Sequence, residues 1–459
     1  MKKLSMALAF ICFNVCLRAQ ELPRKAGLGV AYYATLPDSL VSRLGYKKGA
    51  VVQTVIAGST AAVMNMQPLD IILTVNQQPI QTPADLLRSA KTLRDGQTVA
   101  IELIRNKKLI SITGKAVARP YEKSTTAIIE YGAFAYKGGW VRTIYKRPKE
   151  TVPLGTIYFL QGLPCYSMDN FKEKDKTKQA IDALVDRGFA VYRMEKADMG
   201  DNLNQAPCES MGFDAELDMY RAGYRNLLQL SGIDTTNIFL FGHSMGGVTA
   251  PLLAQEFQPK GVVVYGTVFK SWMEYMLDAF RIQPAYFGED PKKLESALKI
   301  YRPFIEDYFE GRQPLEKIAA NPTGLEALQS ILSYDPQTGL AASGRSPLVF
   351  KEINGYDLSK AWKQTNGYVL AIYGECDMAA NNASDHQALV NWHNQHHPGK
   401  ASFWLAPGTT HTFEEIGTME DYVRWQSTPA AYYQYAENRF NAKVFDYVGN
   451  WLKSLLQKG

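Results

Sequence analysis

Gly242-His243-Ser244-Met245-Gly246 directly follows the apolar run Ile238-Phe239-Leu240-Phe241 and directly precedes Gly247-Val248-Thr249-Ala250-Pro251-Leu252-Leu253-Ala254. The first run reads as a buried strand and the last as a helix. G-x-S-x-G between a strand and a helix makes a tight turn that lifts the serine hydroxyl above the sheet edge into strained, exposed geometry. Ser244 is therefore a candidate nucleophile. The plain alternative is a glycine-rich turn at the start of a helix, and the downstream sequence decides between them.

After that helix, Gly367-Tyr368-Val369-Leu370-Ala371-Ile372-Tyr373 has a buried-strand pattern and ends in Gly374-Glu375-Cys376-Asp377. Further on, Ser402-Phe403-Trp404-Leu405 runs into Gly408-Thr409-Thr410-His411. Serine, then acid, then histidine, each after a strand, resembles the α/β-hydrolase superfamily. The resemblance implies Ser244 as nucleophile, His411 as general base and then acid, and Asp377 as the group that fixes the imidazole tautomer. Glu375 and Asp385 are the competing acids. Glu375 lies two residues earlier in the motif, and Asp385 opens the following helix, so Asp377 is preferred. For the oxyanion, the resemblance points to backbone amides of Met245 and of Leu163, in Gln161-Gly162-Leu163-Pro164 after the strand Gly155–Leu160. The family's usual His-Gly is Gln161-Gly162 here, which leaves a backbone role intact.

Other polar clusters carry less. His393 and His397 have i, i+4 spacing, with His386 and His396 nearby, but no cysteine or carboxylate is spaced to complete a metal site. Gln387 to Pro398 is expected to be an exposed polar helix, and no metal is expected. His243, inside the elbow, is read as packing or hydrogen bonding behind the nucleophile. Glu195-Lys196-Ala197-Asp198-Met199-Gly200-Asp201 follows a strand and is similar to a loop in a group of bacterial esterase-like hydrolases. Glu195 and Asp201 there either meet substrate or hold the loop, and the structural role is preferred. No nucleotide-binding glycine loop is present, so no cofactor is expected.

Met1-Lys2-Lys3, the apolar stretch Leu4 to Leu17 and Arg18-Ala19 have the form of a secretory signal peptide over residues 1–19. The expectation is an exported protein, periplasmic or extracellular, without a transmembrane segment. Losing Lys2, Lys3 and Arg18 takes the formal charge from +5 to +2, which gives no basic surplus for nucleic acid. Of five cysteines, Cys12 and Cys16 leave with that segment. Cys165 and Cys208 both follow strands at the same sheet edge, in a compartment that permits disulfides, and pairing is expected over two free thiols.

Residues 25–117 have a different pattern. Strands are expected at Gly49–Val55, Leu69–Asn76 and Gln97–Arg105, with the amphipathic Thr82–Ala90 between the last two. The order resembles a PDZ domain of the bacterial protease-associated type. That resemblance implies a groove for an extended peptide, with Gly27-Leu28-Gly29-Val30 around a C-terminal carboxylate. Leu28, Gly29 and Val30 are the candidate contacts. Peptide binding and a purely packing role both stay open.

A polar connector, Ala118 to Thr126, leads to residues 127–459, where a hairpin precedes alternating strands and helices. About a hundred residues, 268–365, interrupt that alternation with helices expected at Asp290–Ile305 and Pro314–Leu332. The fold class these resemblances imply is α/β: an α/β-hydrolase sheet with a helical cap, preceded by a small, mainly β PDZ domain. The function expected is a serine esterase on small-molecule esters. A peptidase on the same groups and a peptide-binding protein with an inactive hydrolase fold are the rivals.

Overall fold

The computed structural model describes residues 21–33, 40, 48–169 and 171–457. The expected signal peptide at 1–19, with Cys12 and Cys16, lies outside them. In the N-terminal unit, β1 (Val30–Tyr32), β2 (Ala50–Val55), β3 (Ile71–Val75), β5 (Thr98–Arg105) and β6 (Lys108–Lys115) pair in the order β1-β2-β3-β5-β6, and β4 (Gln78–Pro79) pairs with β3. Along β5, Val99, Ile101 and Leu103 are buried while Ala100 and Glu102 are exposed, so one face of this antiparallel sheet covers a core. The helix Pro83–Lys91 starts at a reciprocal cap between Thr82 and Asp85 and contributes Leu86 to that core.

The rest of the chain builds an eight-stranded sheet in the order β14-β13-β12-β11-β9-β10-β8-β7. Its strands are β7 (Ala127–Tyr136), β8 (Gly139–Pro148), β9 (Thr156–Leu160), β10 (Ala190–Met194), β11 (Ile238–His243), β12 (Gly261–Tyr265), β13 (Tyr368–Cys376) and β14 (Ala401–Thr410). Neighbours from β10 through β14 are parallel, and the β7–β8 hairpin joins antiparallel to β10. Tyr158, Leu160 and Leu240 enter the core on one face; Ile157, Phe159, Phe239 and Phe241 enter the core on the other. Burial on both faces is why these strands read as unbroken apolar runs. After β9 the chain goes to β10 on one side and then to β11 on the other. The winding reverses there, which leaves a crevice beyond the carboxyl ends of β9 and β11.

Between β12 and β13 lie the helices Trp272–Tyr286, Pro291–Phe309, Leu315–Ala319, Pro322–Leu332, Pro347–Asn354 and Leu358–Gln364. The single helix expected over Pro314–Leu332 is two. Asn321 caps the second by accepting from the Thr323 and Gly324 amides, and Pro322 opens it with no N–H to continue the first. The helix expected to be exposed at Gln387–Pro398 is instead Ser384–His396, with His386 and His393 fully buried. They are buried because each finds a backbone partner. The Thr267 amide donates to His386 Nε2 at 3.0 Å, and His393 Nδ1 lies 3.2 Å from the Trp362 carbonyl.

The two units share a buried charged seam. Arg24 pairs with Asp169 and donates to Asp201 at 2.8 Å; Arg142 donates to Asp201 at 3.1 Å, and the Lys25 amide donates to it at 2.7 Å. Glu122 in the connector is equally tied down, between Lys146 at 2.7 Å and Arg193. The connector is therefore polar because it carries buried ion pairs, and it is not a free linker.

Candidate active site

The Gly-x-Ser-x-Gly turn is dictated by close packing. A Cβ on Gly242 would stand 2.4 Å from the Gly246 carbonyl oxygen, and one on Gly246 would stand 2.1 Å from that of Leu160. The chain can make the turn only with glycine at both places. Ser244 between them takes φ +58°, a conformation that non-glycine residues rarely hold, and its amide donates to the Tyr265 carbonyl at 2.9 Å. Its side chain is half-buried at the end of β11, at the start of the helix Gly246–Phe257.

Asp377, at the end of β13, and His411, at the end of β14, meet side chain to side chain. His411 Nδ1–H donates to both Asp377 oxygens, at 2.9 and 2.8 Å. Asp377 is fully buried and His411 is 18% exposed. Burial works against the charged imidazole, but the Asp377 charge and hydrogen bonds outweigh it and hold His411 above the ordinary histidine range. Burial likewise pushes the Asp377 carboxyl up, and the charge and hydrogen bonds of His411 bring it below its usual value. With Nδ1 committed to Asp377, Nε2 is the nitrogen available for proton transfer. His243 Nε2–H donates to the His411 carbonyl at 2.8 Å, and burial beside His411 lowers it to about 3, so it stays neutral and braces the loop.

The loop after β9 adjoins the serine. A Cβ on Gly162 would lie 3.2 Å from the Ser244 Cβ and 3.5 Å from its Oγ. Leu163 is the next residue, and neither its amide nor that of Met245 has a backbone acceptor among the described residues. Met245 stands at the positive end of the Gly246–Phe257 helix. Gln161 donates from Nε2 to the Tyr166 carbonyl at 3.3 Å, so it stabilises its own loop. Cys165 and Cys208 form a disulfide beside it.

The competing acids are placed elsewhere. Glu375 accepts from the Gly408 amide at 2.8 Å, and Asp385 pairs with Lys270 at 3.0 Å. Glu195 accepts from the Ser167 hydroxyl at 2.6 Å and the Met168 amide at 2.8 Å, and Asp201 is the centre of the seam; both are buried and structural. No group of His, Cys, Asp or Glu among the described residues has the arrangement of a metal site. Two neighbours escaped sequence reading. Gly266, at φ +63°, faces the His411–Asp377 pair, and Arg345, from the insert, donates to the Leu163 carbonyl at 2.7 Å.

In the N-terminal unit, Leu28, Gly29 and Val30 line a cavity of about 440 Å³, together with Ile56, Leu86 and Leu87. A PDZ family model matches residues 28–115. Residues 28–115 are a PDZ domain. The PDZ groove is apolar where β1 and the helix Pro83–Lys91 face each other, and Ser59 closes one end by donating to the Gly29 carbonyl at 3.3 Å. Behind the PDZ domain the chain has the α/β-hydrolase fold, as the strand order and crossovers require.

No curated protein matches the chain in sequence. Among solved structures it is similar to a soluble variant of monoglyceride lipase from Saccharomyces cerevisiae, at 16% identity over 73% of this chain and 99% of that one, TM-score 0.43. It is also similar to a carboxyl esterase from Bacillus coagulans, at 15% identity over 72% and 99%, TM-score 0.42. A third is an acylaminoacyl peptidase from Pyrococcus horikoshii, at 11% identity over 77% and 49%, TM-score 0.40. Neighbours this distant bring no substrate with them. No described helix is long and apolar enough to cross a membrane.

Proposed function

We propose that the chain is an exported serine hydrolase whose Ser244, His411 and Asp377 cleave carboxylic esters. The observation that carries this is the strained Ser244 at the end of β11, with the buried His411–Asp377 pair at the ends of β14 and β13. Ser244 Oγ bonds to the acyl carbon while His411 Nε2 takes its proton. The tetrahedral oxyanion faces the amides of Met245 and Leu163. Collapse breaks the bond to the alcohol oxygen, which receives the proton back from His411. Water then attacks the acyl-enzyme by the same route and frees the acid and Ser244. Export is supported by the form of residues 1–19 and by the Cys165–Cys208 disulfide.

A fluorophosphonate probe should label the wild type at Ser244, and Ser244→Ala should lose labelling and at least ~10³-fold of turnover. Labelling that persists in the variant would show that another serine is the nucleophile. The apolar PDZ groove favours a second reading, a peptidase that receives peptide chains there. A panel of short acyl esters against aminoacyl and dipeptidyl amides separates the two, and turnover of esters alone removes the peptidase.

A further inference from the structure

Lys196, Glu216 and Arg345 form a buried cluster that triad chemistry does not use. Their side chains are 1%, 3% and 0% exposed. Lys196 Nζ lies 2.8 Å from Glu216 Oε1, and Arg345 Nη2 donates to Glu216 Oε2 at 2.6 Å. Each cation has donors left over, and each directs at least one of them to the same loop. Lys196 Nζ donates to the Gly162 carbonyl at 2.6 Å and to the Leu163 carbonyl at 3.2 Å. Arg345 Nη1 donates to the Leu163 carbonyl at 2.7 Å. Two cations on one anion leave net positive charge in the interior. Apolar side chains would fill that volume at lower cost, so packing alone does not explain the arrangement.

The target of Lys196 is specific. The Gly162 carbonyl and the Leu163 N–H are opposite ends of one planar, conjugated peptide unit. A cation on the oxygen holds that plane in one orientation and draws density from the nitrogen, which strengthens the N–H as a donor. Burial, with Arg345 nearby, lowers the ammonium to about 8 against the pull of Glu216, so it is still charged at neutral pH.

Given the serine-hydrolase reading, on which this rests, we propose that Lys196, held by Glu216, is a positioning residue that orients and polarises the Gly162–Leu163 peptide toward the oxyanion. Arg345 fixes the next carbonyl and so ties the helical insert to the same loop.

The test is Lys196→Met in the full chain. With a short p-nitrophenyl ester, kcat should fall about 10- to 100-fold, a fraction of what loss of a whole oxyanion donor costs, while KM stays within about threefold. A boronic acid whose tetrahedral adduct fills the same place should bind weaker by the same factor. If Lys196→Met does not melt cooperatively, Lys196→Gln, which removes the charge but keeps a polar end beside the balanced Arg345–Glu216 pair, is judged by the same criteria. A folded variant with wild-type kcat, or with reduced kcat but undiminished boronate affinity, overturns the proposal. Wild-type protein that neither labels at Ser244 nor turns over esters refutes the serine reading and this proposal with it. An active, labelled wild type beside an unchanged variant refutes the positioning role alone.

Discussion

Replacing Gly266 with alanine should separate the His411–Asp377 pair while leaving the fold nearly intact. A Cβ there would lie 2.6 Å from Asp377 Oδ2 and 2.8 Å from both Cε1 and Nδ1 of His411. Carbon contacts are comfortable at about 3.5–4.0 Å, so the methyl needs roughly 1 Å more than it has. Asp377 turns only against its burial and the Ala380 amide, which donates to its Oδ1 at 2.9 Å. The carboxylate and the imidazole must therefore both give way, and their hydrogen bonds are distorted. A shift of about 1 Å in a reacting group costs on the order of 10²-fold, which is the expected loss in kcat/KM. The backbone contributes separately, since alanine at φ +63° costs about 1–2 kcal/mol, a few degrees in melting temperature. Gly138→Ala is the control: its φ is +81°, but a Cβ there meets nothing within 4 Å, so it carries the backbone strain without the clash. The assay is ester turnover beside a thermal melt for both variants. Gly266→Ala with activity equal to that of Gly138→Ala would show that the pair is not what turnover depends on.

Asp377→Asn should lower the plateau of kcat/KM by about 10⁴-fold. Because the Asp377 charge is what raises His411 against burial, and the neutral imidazole is the active form, the ascending limb of the pH–rate profile should also move to lower pH. Asp385→Asn, which breaks a pair with Lys270 and can still accept from the Phe269 amide, should shift neither. Replacing Cys165 and Cys208 with alanine should cost about 2–4 kcal/mol in denaturant unfolding, and unreduced mass mapping of the wild type should recover the two peptides joined. Arg24→Ala leaves the buried Asp169 and Asp201 short of one cation and should cost about 3–5 kcal/mol, read as a lower melting midpoint with the active-site groups untouched.

The turn at Ser244 was legible because its cause is local: two glycines, a buried strand and a helix within a short span. The sheet strands were legible because burial on both faces strips them of polar residues. The Lys196–Glu216–Arg345 cluster was not. Its members are joined only by the crossovers, with Arg345 reaching Glu216 across 129 residues. The segment Glu195–Asp201 stands out in sequence by its acids, whereas its lysine is what reaches the Gly162–Leu163 loop. The histidine-rich helix misled for a related reason. His386 and His393 look solvated in sequence, but they are buried against carbonyls and amides of distant segments that no periodicity reveals.

Arg24 meets Asp201 across 177 residues of chain. At roughly 5–20 residues per second, synthesis separates the appearance of the two by about ten seconds or more. The PDZ domain, whose own pairings close by Lys115, can fold in that interval, while the segment before it waits for Arg142, Asp169 and Asp201. A nascent chain arrested before residue 146 lacks both cations that hold Glu122 and should then carry a folded PDZ domain on an unlatched connector, open to proteolysis near Glu122. Release past residue 201 should seal the connector before the last strands of the sheet exist.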